Sequence, residues 1–400
     1  MKLLLVAPTA DREAVGESAL AFEWVSRMAQ RHEVTVLTYH QRAGRRLSDQ
    51  LDTARVIEWA EPPLVGRHER FNAMLNPGYI PFRRRARGWI RAALRRGEHF
   101  DAGHQVSPVS LRYASPLSGT GVPYVVGPVG GSLPSPPAFA AEETGAPWFT
   151  GLRRLDALRL RHDATLRRSF AGAACVVGIA DYVEDLLAAV PVRRFVTLSD
   201  IGIGELPPPA QGSARTRAVR FLFVGRVIRT KGVRDAVRAL ALLPRGVAVF
   251  DIVGDGYDRE DCEALAAELG LGGTVRFHGR VSHDEVQGFY SRADVFLFPS
   301  YREAGGIVVV EAMSYGLPAI VCATGGPATS VDDTSGIRIA ALDPAQYAQG
   351  LARAMLTLAQ DPALRLRLGR GARERAASVS LWPRRIEAME ALYDDAAAAG

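Results

Sequence analysis

The sequence predicts an α/β protein built from two doubly wound parallel-sheet halves. Short apolar runs alternate with amphipathic stretches along the chain, as in strand-helix-strand units. A Pro-, Gly- and Ser-rich stretch at 206–218 (LPPPAQGSARTRA) carries no periodicity and reads as a linker, after which the alternation starts again. The length of 400 residues also exceeds what one hydrophobic core usually serves. The expected organisation is an N-terminal domain over 1–203, a C-terminal domain over 204–380, and a last helix at 381–400 packing back toward the N-terminal half.

The elements follow in order. Lys2–Ala7 is a buried strand, and Glu17–Arg31 is a helix with Leu20, Trp24, Val25 and Met28 on one face. Strands are expected at Glu33–Thr38, Arg55–Trp59, Asp101–His104, Tyr124–Gly127, Ala173–Gly178 and Arg194–Leu198. Beyond the linker come a strand at Val219–Val224 and a helix from Gly232, then Val247–Val253 and a helix from Asp258. Thr274–Phe277 with a helix from Asp284 follows, then Val295–Pro299 with a helix from Gly306, and Ala319–Cys322; the remainder from Asp343 is helical. In such sheets ligands bind beyond the carboxyl ends of the strands, so two halves facing each other would enclose a cleft.

Composition narrows the class. Apolar residues make up 48% and charged residues 23%, ordinary for a globular enzyme and wrong for a disordered chain. The three cysteines, Cys175, Cys262 and Cys322, are widely spaced, which argues against a disulfide framework or a cysteine-built zinc site. With no long apolar window and no secretory leader, a cytoplasmic location is expected. Residues 1–200 hold 26 Lys+Arg against 20 Asp+Glu, while 201–400 hold 23 of each, so the whole net charge of +6 sits in the first half. Of the 49 basic residues only Lys2 and Lys231 are lysines, a compositional bias that should not be read as nucleic-acid binding.

Four segments carry chemistry. FLFVGRVIRTKG is a strand, a turn at Gly225, and two cations, Arg226 and Lys231, at the start of a helix, where phosphate is already favoured. Solvated loop charges would be the plainer reading. PSYREAGGIVVVEAMSYGLP sets Glu303 and Glu311 with seven residues between them around a loop, Gly305-Gly306, that opens a helix at Ile307. Its Ile-Val-Val-Val run is mediocre helix material, so burial must hold that helix. Two carboxylates so placed can reach different hydroxyls of one elongated ligand, or be a dipole partner and a surface residue. CATGGPA puts a glycine turn at the same sheet edge, and Gly279-Arg280-Val281 ends another strand at a backbone-rich spot suited to a flat base. IVGDGYD has half of a dinucleotide fingerprint and lacks its third glycine and later carboxylate.

The order GRVIRTKG, GDG, FHGRV, FPSYREAGGIVVVEAMSYGLP and TGG resembles glycosyltransferase family 4, retaining enzymes of the GT-B fold also called glycosyl transferases group 1. The match spans roughly Val219–Gly326 and continues more weakly through VGESALAFEWVSRMAQRHEVTVLT and VPYVVGPVGGS. The resemblance implies transfer of a sugar from a nucleotide-diphosphate sugar, UDP favoured and GDP next, to a hydroxyl acceptor held by the N-terminal half, in glycan or specialised-metabolite biosynthesis. It implies that Arg226 and Lys231 bind the diphosphate, Glu311 the ribose and Glu303 the donor sugar. Backbone at Gly225, Gly305, Gly306 and Ile307 would meet sugar and phosphate, Arg280-Val281 the base, and Gly16 the phosphate-proximal loop. His104 is the candidate for contacting the donor sugar, although the His-x-His of many members ends here in Val106. Ala304 and Thr329 depart from the family pattern as well. Catalysis is expected to rest on His104, Glu303, Arg226 and Lys231, with no metal or other cofactor, since no DxD motif ends a strand.

Two other readings come from different classes: a nucleotide-sugar epimerase of the same fold, and a non-catalytic basic protein of the membrane surface. The second draws on residues 83–96 (RRRARGWIRAALRR), seven arginines without an acid, which form a basic amphipathic helix suited to peripheral contact with an anionic membrane. A solvated face covering the core through Trp89 fits the same pattern.

Overall fold

A computed structural model describes residues 1–14, 16–40, 45–62, 78–143, 154–211 and 218–398. The chain forms two units, Met1–Ser132 with Gly151–Asp200 and Arg385–Gly400, and Leu133–Thr150 with Ile201–Arg384.

In the first unit seven strands pair in parallel: β1 (Lys2–Val6), β2 (Glu33–His40), β3 (Ala54–Ala60), β4 (Ala102–Gln105), β5 (Tyr124–Val129), β6 (Cys175–Gly178) and β7 (Phe195–Thr197). Their spatial order is β3-β2-β1-β4-β5-β6-β7. The central strands read as continuous apolar runs because both faces are covered; Leu3, Leu4, Leu5 and Val6 are all buried. Crossover helices include α1 (Glu17–Ala29), α2 (Tyr79–Arg95), α3 (Arg154–His162), α4 (Ala164–Ala171) and α5 (Tyr182–Leu187). Trp24 of α1 is buried and donates its indole N–H to the Asp200 carbonyl at 3.1 Å.

The second unit is a six-stranded parallel sheet of order β10-β9-β8-β11-β12-β13. Its strands are β8 (Val219–Val224), β9 (Ala248–Val253), β10 (Val275–Gly279), β11 (Val295–Phe298), β12 (Ala319–Cys322) and β13 (Gly336–Ile339). The helices are α6 (Val233–Ala241), α7 (Arg259–Glu268), α8 (His283–Arg292), α9 (Ile307–Ser314), α10 (Gly325–Ser330), α11 (Pro344–Gln360) and α12 (Pro362–Val379). Buried Phe221, Phe223, Phe250, Phe296 and Phe298 line its core, with Phe223 and Phe298 stacked at 5.7 Å between ring centroids. α8 starts at a capping box in which Ser282 and Glu285 satisfy each other's backbone donors.

Two features were not visible in the periodicity. β13 is four residues long with a burial pattern too mixed to signal a strand. The excursion from Leu133 belongs to the second unit because Phe139 is fully buried in that unit's core, beside Tyr301 at 4.3 Å. The last helix, α13 (Trp382–Ala398), carries the chain back into the first unit, where buried Tyr393 and the Arg31–Glu390 and His32–Glu390 contacts at 2.6 and 2.8 Å hold it. Among the described residues no helix is long and apolar enough to cross a membrane.

Candidate active site

The strand order of the second unit reverses between β8 and β11, and ligands of open parallel sheets bind beyond the carboxyl ends of strands at such a reversal. Two loops meet there. One leaves β8 through Gly225 and Arg226 and ends in a short 3-10 turn, Arg229–Lys231; the other leaves β11 through Pro299 and Ser300 toward Glu303. Gly232 closes the first with φ +72°, and a Cβ at that position would stand 2.0 Å from the Pro299 carbonyl oxygen, so only glycine lets the two loops touch. The Ser300 hydroxyl ties them further by donating to the Thr230 carbonyl at 3.1 Å.

Across this seam Lys231 Nζ pairs with Glu303 Oε2, with only 13% and 19% of the two side chains exposed. The Lys231 ammonium also sits 5.2 Å from the centre of the Phe298 ring. Burial, then the like charges of Arg226 and Arg302, push its pKa down to about 7, while the Glu303 carboxylate is the counter-charge working the other way. Arg226 itself is exposed. The geometry therefore offers one solvated cation and one nearly buried cation beside a carboxylate at the end of two central strands.

Glu311 lies on α9, whose β-branched first turn is held by burial as its composition demands: Val309, Val310, Ala312 and Met313 are all buried. Gly306 caps the helix at φ +86°, and Ile307 is exposed at the first turn, where backbone N–H groups lack intrahelical acceptors. Glu311 is half-buried and accepts a hydrogen bond from the Tyr290 hydroxyl at 3.0 Å. Burial raises its carboxyl above the usual range, opposed by that hydroxyl and by His283. Arg280, exposed, and Val281, half-buried against the core, follow β10.

The remaining glycines of the motifs serve close backbone approach. A Cβ on Gly254 would stand 1.8 Å from the Gly225 carbonyl oxygen and one on Gly256 2.1 Å from that of Val227. GDG thus packs the loop after β9 onto the loop after β8, and its likeness to a dinucleotide fingerprint reflects packing. In the same way Gly326 lies against the Gly305 carbonyl, where a Cβ would approach to 1.9 Å.

Gly16 and His104 belong to the first unit. Gly16 is exposed at the head of α1 with φ +74°. The expectation that His104 contacts a donor sugar is corrected: its side chain is fully buried and both ring nitrogens are engaged. Nε2 donates to the Gly127 carbonyl, which leaves Nδ1 to accept from the Tyr393 hydroxyl at 2.6 Å. Burial lowers its pKa to about 4, so it is a neutral, structural imidazole at neutral pH.

Sequence reasoning missed Arg229, Arg302 and Tyr290. Arg229 is fully buried, bonded to Asp235 at 2.6 Å and to Glu142 at 2.8 Å, and stands over the Phe139 and Tyr301 rings. Arg302 pairs with Glu143 at 3.2 Å and donates to the Ser135 hydroxyl at 3.0 Å. Both arginines anchor the 133–143 excursion beside the site loops, and their only sequence signal was a position inside the two motifs.

Residues 209–375 match the family model described as glycosyl transferases group 1. The D-inositol 3-phosphate glycosyltransferase of Salinispora arenicola (strain CNS-205) is 32% identical over 239 residues, 54% of this chain and 52% of the relative. That of Corynebacterium jeikeium (strain K411) is 35% identical over 196 residues, 46% and 45% of the two chains. The chain spans about half the length of the curated relatives it matches. Sucrose-phosphate synthase from Thermosynechococcus elongatus superposes over 100% of both chains with a TM-score of 0.67 at 20% identity. The Anabaena protein HepE in complex with UDP superposes over 98% of this chain and 100% of its own, with a TM-score of 0.65 at 17% identity. The fold is the GT-B fold of glycosyltransferases.

Proposed function

We propose that the protein transfers a sugar, with retention, from a nucleotide-diphosphate sugar to a hydroxyl acceptor, and that the donor binds at the β8/β11 reversal of the second unit. The Lys231–Glu303 pair carries this reading: a nearly buried cation and carboxylate meet at the end of two central strands, beside a helix start, in the segment that matches glycosyl transferases group 1. Arg226 and Lys231 take the diphosphate, and its developing charge on departure is met by these cations together with the α9 N-terminus. Lys231 exchanges Glu303 for phosphate when the donor arrives, which frees the Glu303 carboxylate to accept from sugar hydroxyls. Glu311, oriented by Tyr290, accepts from the ribose hydroxyls, Gly305, Gly306 and Ile307 offer backbone to sugar and phosphate, and Arg280-Val281 flank the base.

A uridine donor is favoured, with guanosine next, and the N-terminal unit takes the acceptor. Transfer proceeds without a divalent ion, because side-chain cations supply the charge a metal would otherwise bring. Thermal-shift screening of UDP-, GDP- and ADP-sugars identifies the donor, since ligand at 100 times its Kd stabilises by ~2.7 kcal/mol. Transfer is then measured as nucleotide release with D-inositol 3-phosphate, named in the relatives, among the acceptors tried. Isomerised donor in the absence of acceptor would instead identify an epimerase, and no response to any nucleotide sugar would overturn the proposal.

A further inference from the structure

The basic segment at 83–96 behaves differently from an amphipathic membrane helix. In α2 the apolar residues Phe82, Ala86, Ile90 and Ala93 are buried, and Trp89 packs on Phe100 at 6.4 Å under the Arg55 guanidinium. The apolar stripe is used by the core. Arginines remain on the outside.

Arg83, Arg87 and Arg91 are spaced by four residues and so stack along one side of the helix, where like charges repel. Arg168 of α4 faces the same group: burial and the charges of Arg91, Arg83 and Arg168 all lower the Arg87 pKa. None of these four is ion-paired among the described residues, and Arg83 Nε is buried without a hydrogen-bond partner. Arg87 stands beside a cavity of about 190 Å³ whose lining includes Gly119, Gly121, Tyr124, Gly172 and Arg193. Arg87 Nη2 lies 3.3 Å from where a Cβ on Gly119 would be, so the glycine wall leaves the guanidinium room at the rim. Arg193 is likewise unpaired among the described residues, and the Asp395 carboxylate is held by its neighbour Arg194.

None of these five cations is ion-paired among the described residues, and a bound anion would relieve the repulsion among those around Arg87. The cavity is wide enough for a phosphate group, a water taking ~30 Å³ of liquid volume. It opens where β5 begins, at the amino-terminal edge of the sheet, away from the strand ends at which substrates of such sheets bind. We propose that Arg83, Arg87, Arg91, Arg168 and Arg193 form a second anion site, separate from the donor site, for a phosphate-bearing ligand. That phosphate belongs either to a free phosphorylated molecule or to the headgroup of an anionic lipid.

The test uses full-length protein carrying Lys231→Met, so that the donor site does not report, with and without Arg87→Gln and Arg168→Gln. Inorganic pyrophosphate is titrated by thermal shift, and binding to phosphatidylglycerol vesicles is compared with phosphatidylcholine vesicles by sedimentation. Loss of two charge-assisted contacts should weaken the affected probe by at least about tenfold. A pyrophosphate shift that depends on the arginines assigns a free anion, and arginine-dependent vesicle binding without such a shift assigns the headgroup. Without ligand, the doubly substituted protein should melt at a higher temperature than its parent, because repulsion is relieved. If neither probe distinguishes the two proteins, or if the substitutions lower the melting temperature, the site does not exist.

Discussion

Binding of a nucleoside diphosphate should draw a proton from solution, and Lys231 should be its destination. In the free site Lys231 titrates at about 7, because it is buried beside Arg226 and Arg302. A diphosphate brings negative charge to the ammonium and raises that value, so binding above pH 7 must be accompanied by protonation. With a free-state pKa of about 7, roughly nine-tenths of the lysine is neutral at pH 8, giving an uptake near 0.9 proton. The same linkage, partly offset by the second ionisation of the UDP terminal phosphate near pH 6, weakens UDP binding by about fivefold between pH 6 and pH 8, or ~1 kcal/mol. At pH 8 the nucleotide's terminal phosphate is already ionised, its second pKa being about 6, so it does not contribute. Calorimetry at pH 8 in buffers of different ionisation enthalpy reads the uptake as the slope of observed against buffer enthalpy. Lys231→Arg stays charged at all working pH values and should abolish both the slope at pH 8 and the weakening of binding toward high pH. For stability the sign reverses: the unfolded lysine at 10.5 holds its proton more tightly than the folded one. The ligand-free fold therefore gains stability as pH rises from about 7 toward 10.5. A zero slope for the unsubstituted protein, or an unchanged slope in Lys231→Arg, would refute the reasoning.

Other outcomes follow from the same geometry. Transfer should persist in excess EDTA; activity lost to EDTA and restored by magnesium or manganese would show that the side-chain cations are not sufficient. Arg229→Met leaves Asp235 buried with Arg238 at 3.3 Å as its one remaining cation among the described residues and should cost ~3 kcal/mol in urea unfolding, the range for breaking a buried ion pair. Unchanged stability would mean that the 133–143 excursion is held by other contacts. His104→Phe should destabilise by about 1–3 kcal/mol, since it strands the Gly127 carbonyl and the Tyr393 hydroxyl, yet leave turnover in the folded protein. Lost turnover at unchanged stability would return His104 to catalysis.

Most of the fold was legible because parallel strands covered on both faces are written as apolar runs, and those of β8, β9, β11 and β12 run into glycine-containing loops. The strands at β1, β8 and β11 fall within a residue or two of their sequence limits. β13 was illegible because four residues of mixed burial leave no period to read. The excursion at Leu133 was illegible for a different reason: its attachment depends on contacts between distant segments, Glu142 with Arg229 and Glu143 with Arg302. At the candidate site the charged residues could be named from the motifs, but their pairing could not. Seventy-two residues separate Lys231 from Glu303, and only the reversal of strand order brings them together. Burial decided the case of His104, whose family position suggested chemistry while its surroundings, Trp24, Tyr393 and Gly127, leave it no access.

The division of labour between the two glutamates tests the account most directly. Bare UDP should be titrated at pH 6, where Lys231 is protonated, against Glu303→Gln and Glu311→Gln, and transfer measured for both. Glu311→Gln removes an acceptor for the ribose and should weaken bare UDP and UDP-sugar alike, by roughly 1.5–3 kcal/mol for hydrogen bonds to a charged group. Glu303→Gln releases Lys231 from its partner and should leave bare UDP as tight or tighter, while the transfer rate falls because the sugar contact is lost. Equal weakening of bare UDP by both substitutions would contradict the assignment, and no effect of either on binding or turnover would make the pair structural.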